Sequence, residues 1–301
     1  MKAVIDLSRI APPDAVRTVS MEAIVGAMKA DLLGRMPELT DAIRESDPSM
    51  KIFEGQAVRE GQWEARVNAS VRAVMVAWAK GADLENLVAG IDMVRQVVDP
   101  GNPDASPPVL PTYESDDRLR RRCVLYWNSI SNGAPEGFYP FLALDASADV
   151  YDADSTSPAP CEIVVHVLPR QGGDAAAILA AVQAVMADMR KVPQGDRVSV
   201  QAATVKPYRV VAELEIAGGP DTTVVVETAR TRTTEYTAWS EEFGRTPLGR
   251  SISVPLLHAA LAAEGVRNIT LLEPLGPIDC AEHEAARCTE IIITVKGAAN
   301  G

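Results

Sequence analysis

At 301 residues, 47% of them hydrophobic and 23% charged, the chain is long enough for two or three domains of roughly 100–200 residues and too apolar to remain disordered. A net charge of -12 and an isoelectric point near 4.8 weigh against nucleic acid as a partner, because phosphate binding needs clustered cations that such a chain must hold against its own field. Four cysteines, Cys123, Cys161, Cys280 and Cys288, are too few and too scattered for a disulfide framework, so free thiols are expected.

The opening MKAVIDLSRIAPPD is broken by Asp6 and Arg9 before an apolar core forms, so no secretory leader is expected. No apolar run nears the roughly 18–20 residues that span a bilayer. The longest, Ala73 to Ala79, lies between Arg72 and Lys80, and a soluble chain made in a cytoplasm, with no membrane partner, is expected.

The first third reads as helix. Ser20 is placed to cap a segment whose apolar residues Ile24, Val25, Met28, Leu32 and Leu33 recur at helical spacing, until Gly34 and Pro37 interrupt it. A longer pattern from Pro48 to Lys80 carries Phe53, Ala57, Val67, Val71, Val74, Met75 and Trp78 near three- and four-residue steps, which predicts a helix roughly 45–50 Å long, weakened early by Gly55 and Gly61. One apolar stripe on so long a helix needs partner helices. Phe53, Val67, Val71, Val74 and Trp78 are therefore the candidate protein–protein interface. Gly81 reads as the terminator of this helix, with a short helix, Leu84 to Val88, after it.

Pro100, Pro103, Pro107, Pro108 and Pro111 predict a linker over 99–113 that closes a helical segment, 1–98. A middle domain, 114–196, opens with Ser115 as N-cap and Asp116 and Asp117 in the first turn of a helix reaching Trp127. Arg118, Arg120, Arg121 and Arg122 on that helix read as a solvated face with opposite charges nearby. A second helix carries Phe138, Phe141 and Leu142. Alternation over Val150 to Ser155 and Ile163 to Leu168, around a turn at Ser157 to Pro160, predicts a β-hairpin. An amphipathic helix with Ile178, Leu179, Val182, Val185, Met186 and Met189 follows.

A last domain, 197–301, is expected to hold strands at Val198 to Thr204, Val210 to Ile216, Asn268 to Leu272 and Glu290 to Val295. Gly218, Gly219 and Pro220 stop the second of these, and helices begin near Asp221 and Val254. The fold class is α+β: an N-terminal long-helix segment that joins an intermolecular bundle, then two small α+β domains.

Chemistry is hard to find. Of the three histidines, His166 shares a strand face with Val164 and Leu168 and His258 lies on a helix, and both read as structural. Cys280, His283, Glu284 and Cys288 lie close together, but C-x₂-H-x₄-C lacks a fourth donor, and Arg287 stands where an H-E-x-x-H string needs its second histidine. No phosphate-cradling glycine loop and no G-x-S-x-G elbow appears, and nothing singles out a pair among the many carboxylates. Neither metal nor cofactor nor catalytic residue is expected.

Several stretches in order resemble the baseplate J-like family, the wedge proteins of contractile phage tails: VNASVRAVMVAWAKGADLENLVAGI at 67–91, ESDDRLRRR at 114–122, STSPAPCEIVVHVLPRQG at 155–172 and LGRSISVPLLHAALAAEGVRNITLLEP at 248–274. The resemblance implies a non-enzymatic subunit of the virion tail baseplate, assembled in the host cytoplasm. It implies N-terminal helices in a core bundle with other copies and with a second, protein I-like wedge protein. It also implies middle and C-terminal domains that link wedges into a ring beside sheath-initiator and hub proteins. The rival readings are the equivalent subunit of a phage-tail-like bacterial particle or injection system, and a tail-associated cell-wall hydrolase.

Overall fold

The structure, a computed structural model, describes residues 7, 10–40, 43–44, 47–131, 133–217, 221–241 and 246–296. Asp6, Arg9 and the Gly218–Gly219–Pro220 stop lie outside them. The chain forms mixed α and β structure in two compact units, Leu7–Val94 and the rest from Arg95.

The first unit is helical. Ser20 caps α1 (Met21–Arg35) by accepting the Ala23 N–H at 3.3 Å, and a 3₁₀ turn, Pro37–Leu39, follows. α2 (Pro48–Ala73) starts with Asp47 accepting the Ser49 N–H at 2.8 Å and with proline at its first position, where no N–H is needed. The helix expected to reach Lys80 stops at Ala73, and Gly81 does not end it. With φ +51 Gly81 instead opens α3 (Gly81–Ala89). Apolar spacing runs unbroken through residues 74–79, so periodicity could not reveal this break, whereas a left-handed φ at Gly81 suits a change of direction. α1 packs on α2 where Gly61 leaves room: a β-carbon there would stand 2.3 Å from the Met21 Cε. Asn68 fastens the approach to α1, accepting the Arg17 N–H at 3.1 Å and donating to the Arg17 carbonyl at 2.8 Å.

The second unit begins with the proline-rich stretch, which folds as a two-stranded ribbon, β1 (Val97–Asp99) and β2 (Thr112–Tyr113), with a bridge from Asn102 to Val109. Helices α4 (Asp116–Ser129) and α5 (Phe138–Ala146) come next, then the hairpin β3 (Val150–Ala159) and β4 (Glu162–Pro169). α6 (Ala175–Met186) crosses over to β5 (Arg197–Ala202), which pairs parallel with β4. β5 therefore belongs to the first sheet, order β3-β4-β5, and not to the last segment where its alternation alone had set it. Phe138, Leu144, Val150, Val165, Val167, Ile178 and Val182 are buried in this half.

The second sheet, order β7-β6-β8, has β6 (Thr204–Ile216) at its centre. α7 (Thr222–Thr237) and α8 (Val254–Leu261) cover one face. β7 (Val266–Glu273) runs antiparallel to β6 and β8 (Glu284–Val295) parallel to it. Ala212, Leu214 and Ile293 pack against Val225, Ala229 and Leu261, the inward set that β6 alternation predicts. Leu168, Leu248 and Ala285, with Trp239 beside them, form a small core that joins the two sheets, and the Trp239 indole N–H donates to the Ala286 carbonyl at 2.7 Å.

The arginine run on α4 is the main departure from the sequence reading. Arg118, Arg121 and Arg122 are buried, Arg118 to 1% exposure. Arg118 donates to the Leu144 carbonyl at 3.2 Å and the Ser147 carbonyl at 3.1 Å, closing the open end of α5, and stands 3.3 Å from Glu114. Arg122 joins Glu114 to Asp145, and Arg121 meets Asp152, whose second oxygen accepts the Leu248 N–H at 3.0 Å. Glu241 receives Arg170 and the Ser115 hydroxyl, the latter at 2.6 Å. Burial pulls the Arg118 guanidinium down to about 10, against the opposing field of Glu114 and Glu241. The opposite charges expected nearby are there, Glu114 one turn before Arg118 and Asp117 beside Arg120, but the burial is not legible because Asp145, Asp152 and Glu241 come from distant parts of the chain, Asp152 31 residues from Arg121.

Removing one member of a buried ion cluster strands the others without water. Arg118→Met is therefore expected to destabilise the chain by about 3–5 kcal/mol in urea unfolding followed by circular dichroism. Arg209→Met, which cuts a pair with half-exposed Glu273, should cost less than about 1 kcal/mol. Equal small losses would show the cluster to be energetically idle.

His166, buried in β4, bonds to the Thr156 hydroxyl at 2.9 Å and lies against His283, ring centroids 5.2 Å apart. Burial first and His283 second hold its pKa below the ordinary 6.5. Above 6.5 both folded and unfolded forms are neutral and the stability is complete. As pH falls below 6.5, the unfolded chain takes a proton that the folded chain resists, and stability is lost. Unfolding midpoints measured from pH 7 to 5 should fall for the parent and fall less for His166→Gln. Parallel curves would assign the loss to other groups.

Candidate functional site

α2 presents two different sides. Met50, Ala57 and Gly61 are buried, and Gly61 meets α1. At about 100° per residue, Ile52, Trp63 and Val67 lie within ~60° of one another and well away from that packed side. They are 71%, 64% and 56% exposed. Arg59 and Arg66 flank this row, and the Arg66 guanidinium stands over the Trp63 ring, 5.2 Å from its centroid. α1, for its part, buries none of its residues.

The five candidate residues separate on this geometry. Val67 sits on the exposed row, and Val74, the C-cap residue just past α2, is 70% exposed. Phe53 and Val71 are half-buried at the margin of the packed side. Trp78 lies in the turn beyond the helix, half-buried, with the Arg72 guanidinium 5.8 Å from its ring centroid. Ile52 and Trp63 are the exposed residues that the sequence reading passed over. It followed the stripe through Phe53 and Ala57, and the i,i+4 spacing of Trp63 and Val67 was the signal for a second row.

A cavity of about 710 Å³ lies in the second unit, lined by Tyr151, Arg170, Trp239, Arg287, Cys288 and Glu290 among others. Its two arginines are committed: Arg170 to Glu241, and Arg287 to Gln171 at 2.9 Å. Burial pushes the Cys288 thiol up, away from the nucleophilic thiolate, and no histidine is among the lining residues. The Cys280–Cys288 loop spreads its polar groups. Glu284 bonds Lys206 at 2.6 Å, which holds its carboxyl below the usual range, while His283 lies on His166. Among the described residues, no group of three or more His, Cys, Asp or Glu side chains is arranged to hold a metal ion. Among the same residues, no helix is long and apolar enough to cross a membrane.

Residues 45–102 match the baseplate J-like N-terminal domain. Over 302 aligned residues the chain is 32% identical to baseplate protein J of Escherichia phage P2, covering 98% of each. Among solved structures, a chain in the cryo-electron microscopy structure of the anti-feeding prophage baseplate, 6-fold symmetrised, aligns over 90% of this chain at 8% identity and a TM-score of 0.31, a value that carries no argument. The alignment spans about half, 53%, of that chain.

Proposed function

The chain belongs to the baseplate J-like family, and on that premise we propose that it is a structural wedge subunit of the baseplate of a contractile phage tail, joining wedge proteins into a ring around the tail hub. The observation that carries the reading is the exposed row Ile52, Trp63 and Val67 on a helix whose companion, α1, buries no residue. A helix surface of this kind is completed by other helices. In this proposal the partners are other copies of the chain and a second, protein I-like wedge protein in a helical bundle. Val74 extends the contact, and Phe53, Val71 and Trp78 border it. The unit from Arg95 onward carries the ring contacts, next to sheath-initiator and hub proteins. The subunit works in the virion tail after assembly in the host cytoplasm, and its role is non-enzymatic.

The equivalent subunit of a tail-like bacterial particle would have the same surfaces and the same bundle. A tail-associated hydrolase draws no support from the cavity, where the arginines are paired and the thiol is held protonated.

Trp63→Glu and Val67→Glu alter exposed positions, so folding of the isolated chain should change by no more than about 0.5 kcal/mol. Tails assembled with either variant should lack the subunit, read by mass spectrometry and negative-stain microscopy of purified particles. Incorporation of both variants at the parental level would remove the α2 row from the assembly.

A further inference from the structure

A sheet ends at its edges, and this chain treats the two edges of its C-terminal sheet differently. Much of β8's outer backbone is occupied. Gly249 N–H bonds the Glu284 carbonyl at 2.9 Å, Leu248 bridges Ala285, the Trp239 indole takes the Ala286 carbonyl, and Arg230 reaches the Ile291 carbonyl at 3.2 Å. Among the described residues no strand or bridge meets the outer side of β7. The Leu214 carbonyl accepts the Lys296 N–H from the β8 side, at 2.9 Å, so Ile269, opposite Leu214, turns its own backbone groups away from β6. The Ile269 N–H is met by the side chain of its neighbour Asn268, at 3.0 Å. Leu271, two residues on, faces the same way.

An open edge invites another strand, and its chemistry selects which one. Val266–Glu273, VRNITLLE, is complementary to itself when run antiparallel about Thr270. Each Arg267 then comes to the Glu273 end of the other copy, where Glu273 also holds Arg209 of its own chain at 2.9 Å, Ile269 lies opposite Leu271, and Thr270 lies opposite Thr270. A slip of one residue would set the two helix layers on opposite faces. A slip of two would put Arg267 opposite Leu271 or Leu275. A chain of net charge -12 repels its copy, so a contact between copies needs opposite charges placed locally. The pairing of β6 with β7 is regular only from Asn268 to Leu271, slipping at Arg267 and at Leu272, and Pro274 has no N–H to donate. These features confine a new ladder to the Ile269–Leu271 stretch and keep it from extending into a fibre.

We propose that β7 pairs antiparallel with β7 of a second copy of this chain, with the two-fold axis at Thr270. This rests on the reading of the chain as a self-associating baseplate subunit and gives that association a strand and a register. Both sheets become one across the axis, and the half-buried Ile269 and Leu271 of the two copies close against each other.

At the axis the two Thr270 residues form a non-hydrogen-bonded pair with Cα atoms about 4.5 Å apart, within reach of a disulfide. Mild oxidation of the full chain carrying Thr270→Cys should give a covalent dimer linked 270 to 270, identified by peptide mass spectrometry. Its yield should exceed that of Leu272→Cys, which lies opposite Asn268, by roughly tenfold. Thr270→Lys, at an exposed position, sets like charges against each other and should weaken the dimer seen by sedimentation roughly tenfold. Equal crosslinking of the two cysteine variants, or a chain that stays monomeric to about 1 mM, overturns the proposal. If the α2 variants abolish incorporation into tails while Thr270→Lys assembles normally, the baseplate reading stands and the β7 pairing falls.

Discussion

The cluster of Glu114, Arg118, Arg121 and Arg122 with Asp145, Asp152 and Glu241 holds the second unit in its arrangement. Through it the end of the proline-rich ribbon, α4, the open end of α5, strand β3 and the segment after α7 all meet on charged groups that, half-exposed Asp145 apart, have little access to water. Buried charges tolerate only geometries in which each is answered, so the cluster acts less as a source of attraction than as a restriction on alternatives. An α5 shifted by one turn would leave Arg118 without the Leu144 and Ser147 carbonyls. A displaced β3 would strand Arg121, and with it the Asp152 contact that reaches Leu248 beside the second sheet. The two sheets are thereby fixed to each other by polar bonds as well as by the small core of Leu168, Leu248 and Ala285.

The first unit has no comparable device among its described residues. α2 buries Met50, Ala57 and Gly61, α1 half-buries Ile24, Met28 and Leu32 and fully buries none, the largest fully buried side chains of the unit are Leu84 and Val88 on α3, and the contact of α1 with α2 depends on the absence of a side chain at Gly61. Packing of this extent contributes little against the entropy of ordering two helices, since most helix stability in proteins comes from burying an apolar face. The remaining apolar surface of α2 faces solvent, with arginines beside it. In the assembly proposed above this division has a physical use: the second unit would be complete alone, and the first finished by its neighbours.

Local features were readable in the sequence. Ser20 and Ser115 cap the helices they were expected to cap, the β3–β4 hairpin follows its alternation, and Val210, Ala212 and Leu214 face the helices. What escaped was non-local. Arg118, Arg121 and Arg122 sit in a charged, helical context that resembles a surface; Glu114 lies within about two turns of Arg118 and Arg122, but only tertiary contacts bring in Asp145, Asp152 and Glu241. β5 alternates like any strand, and nothing in RVSVQA indicates pairing with β4 across α6. The break after Ala73 is hidden because Val74, Met75 and Trp78 continue the apolar spacing. The row through Trp63 was eclipsed by the stronger pattern on the adjacent side of the same helix.

In the proposed assembly the N-terminal helices are completed by other chains while the second unit is complete in itself. Hydrogen exchange read by mass spectrometry on the isolated chain and on assembled tails compares the two directly. In the isolated chain, amides of α1 and α2 should exchange orders of magnitude faster than those of α4, β4 and β6, and on assembly the α2 amides should slow toward the rates of β6. Amides of α1 and α2 that are already as protected as β6 in the isolated chain, and unchanged in the tail, would contradict it.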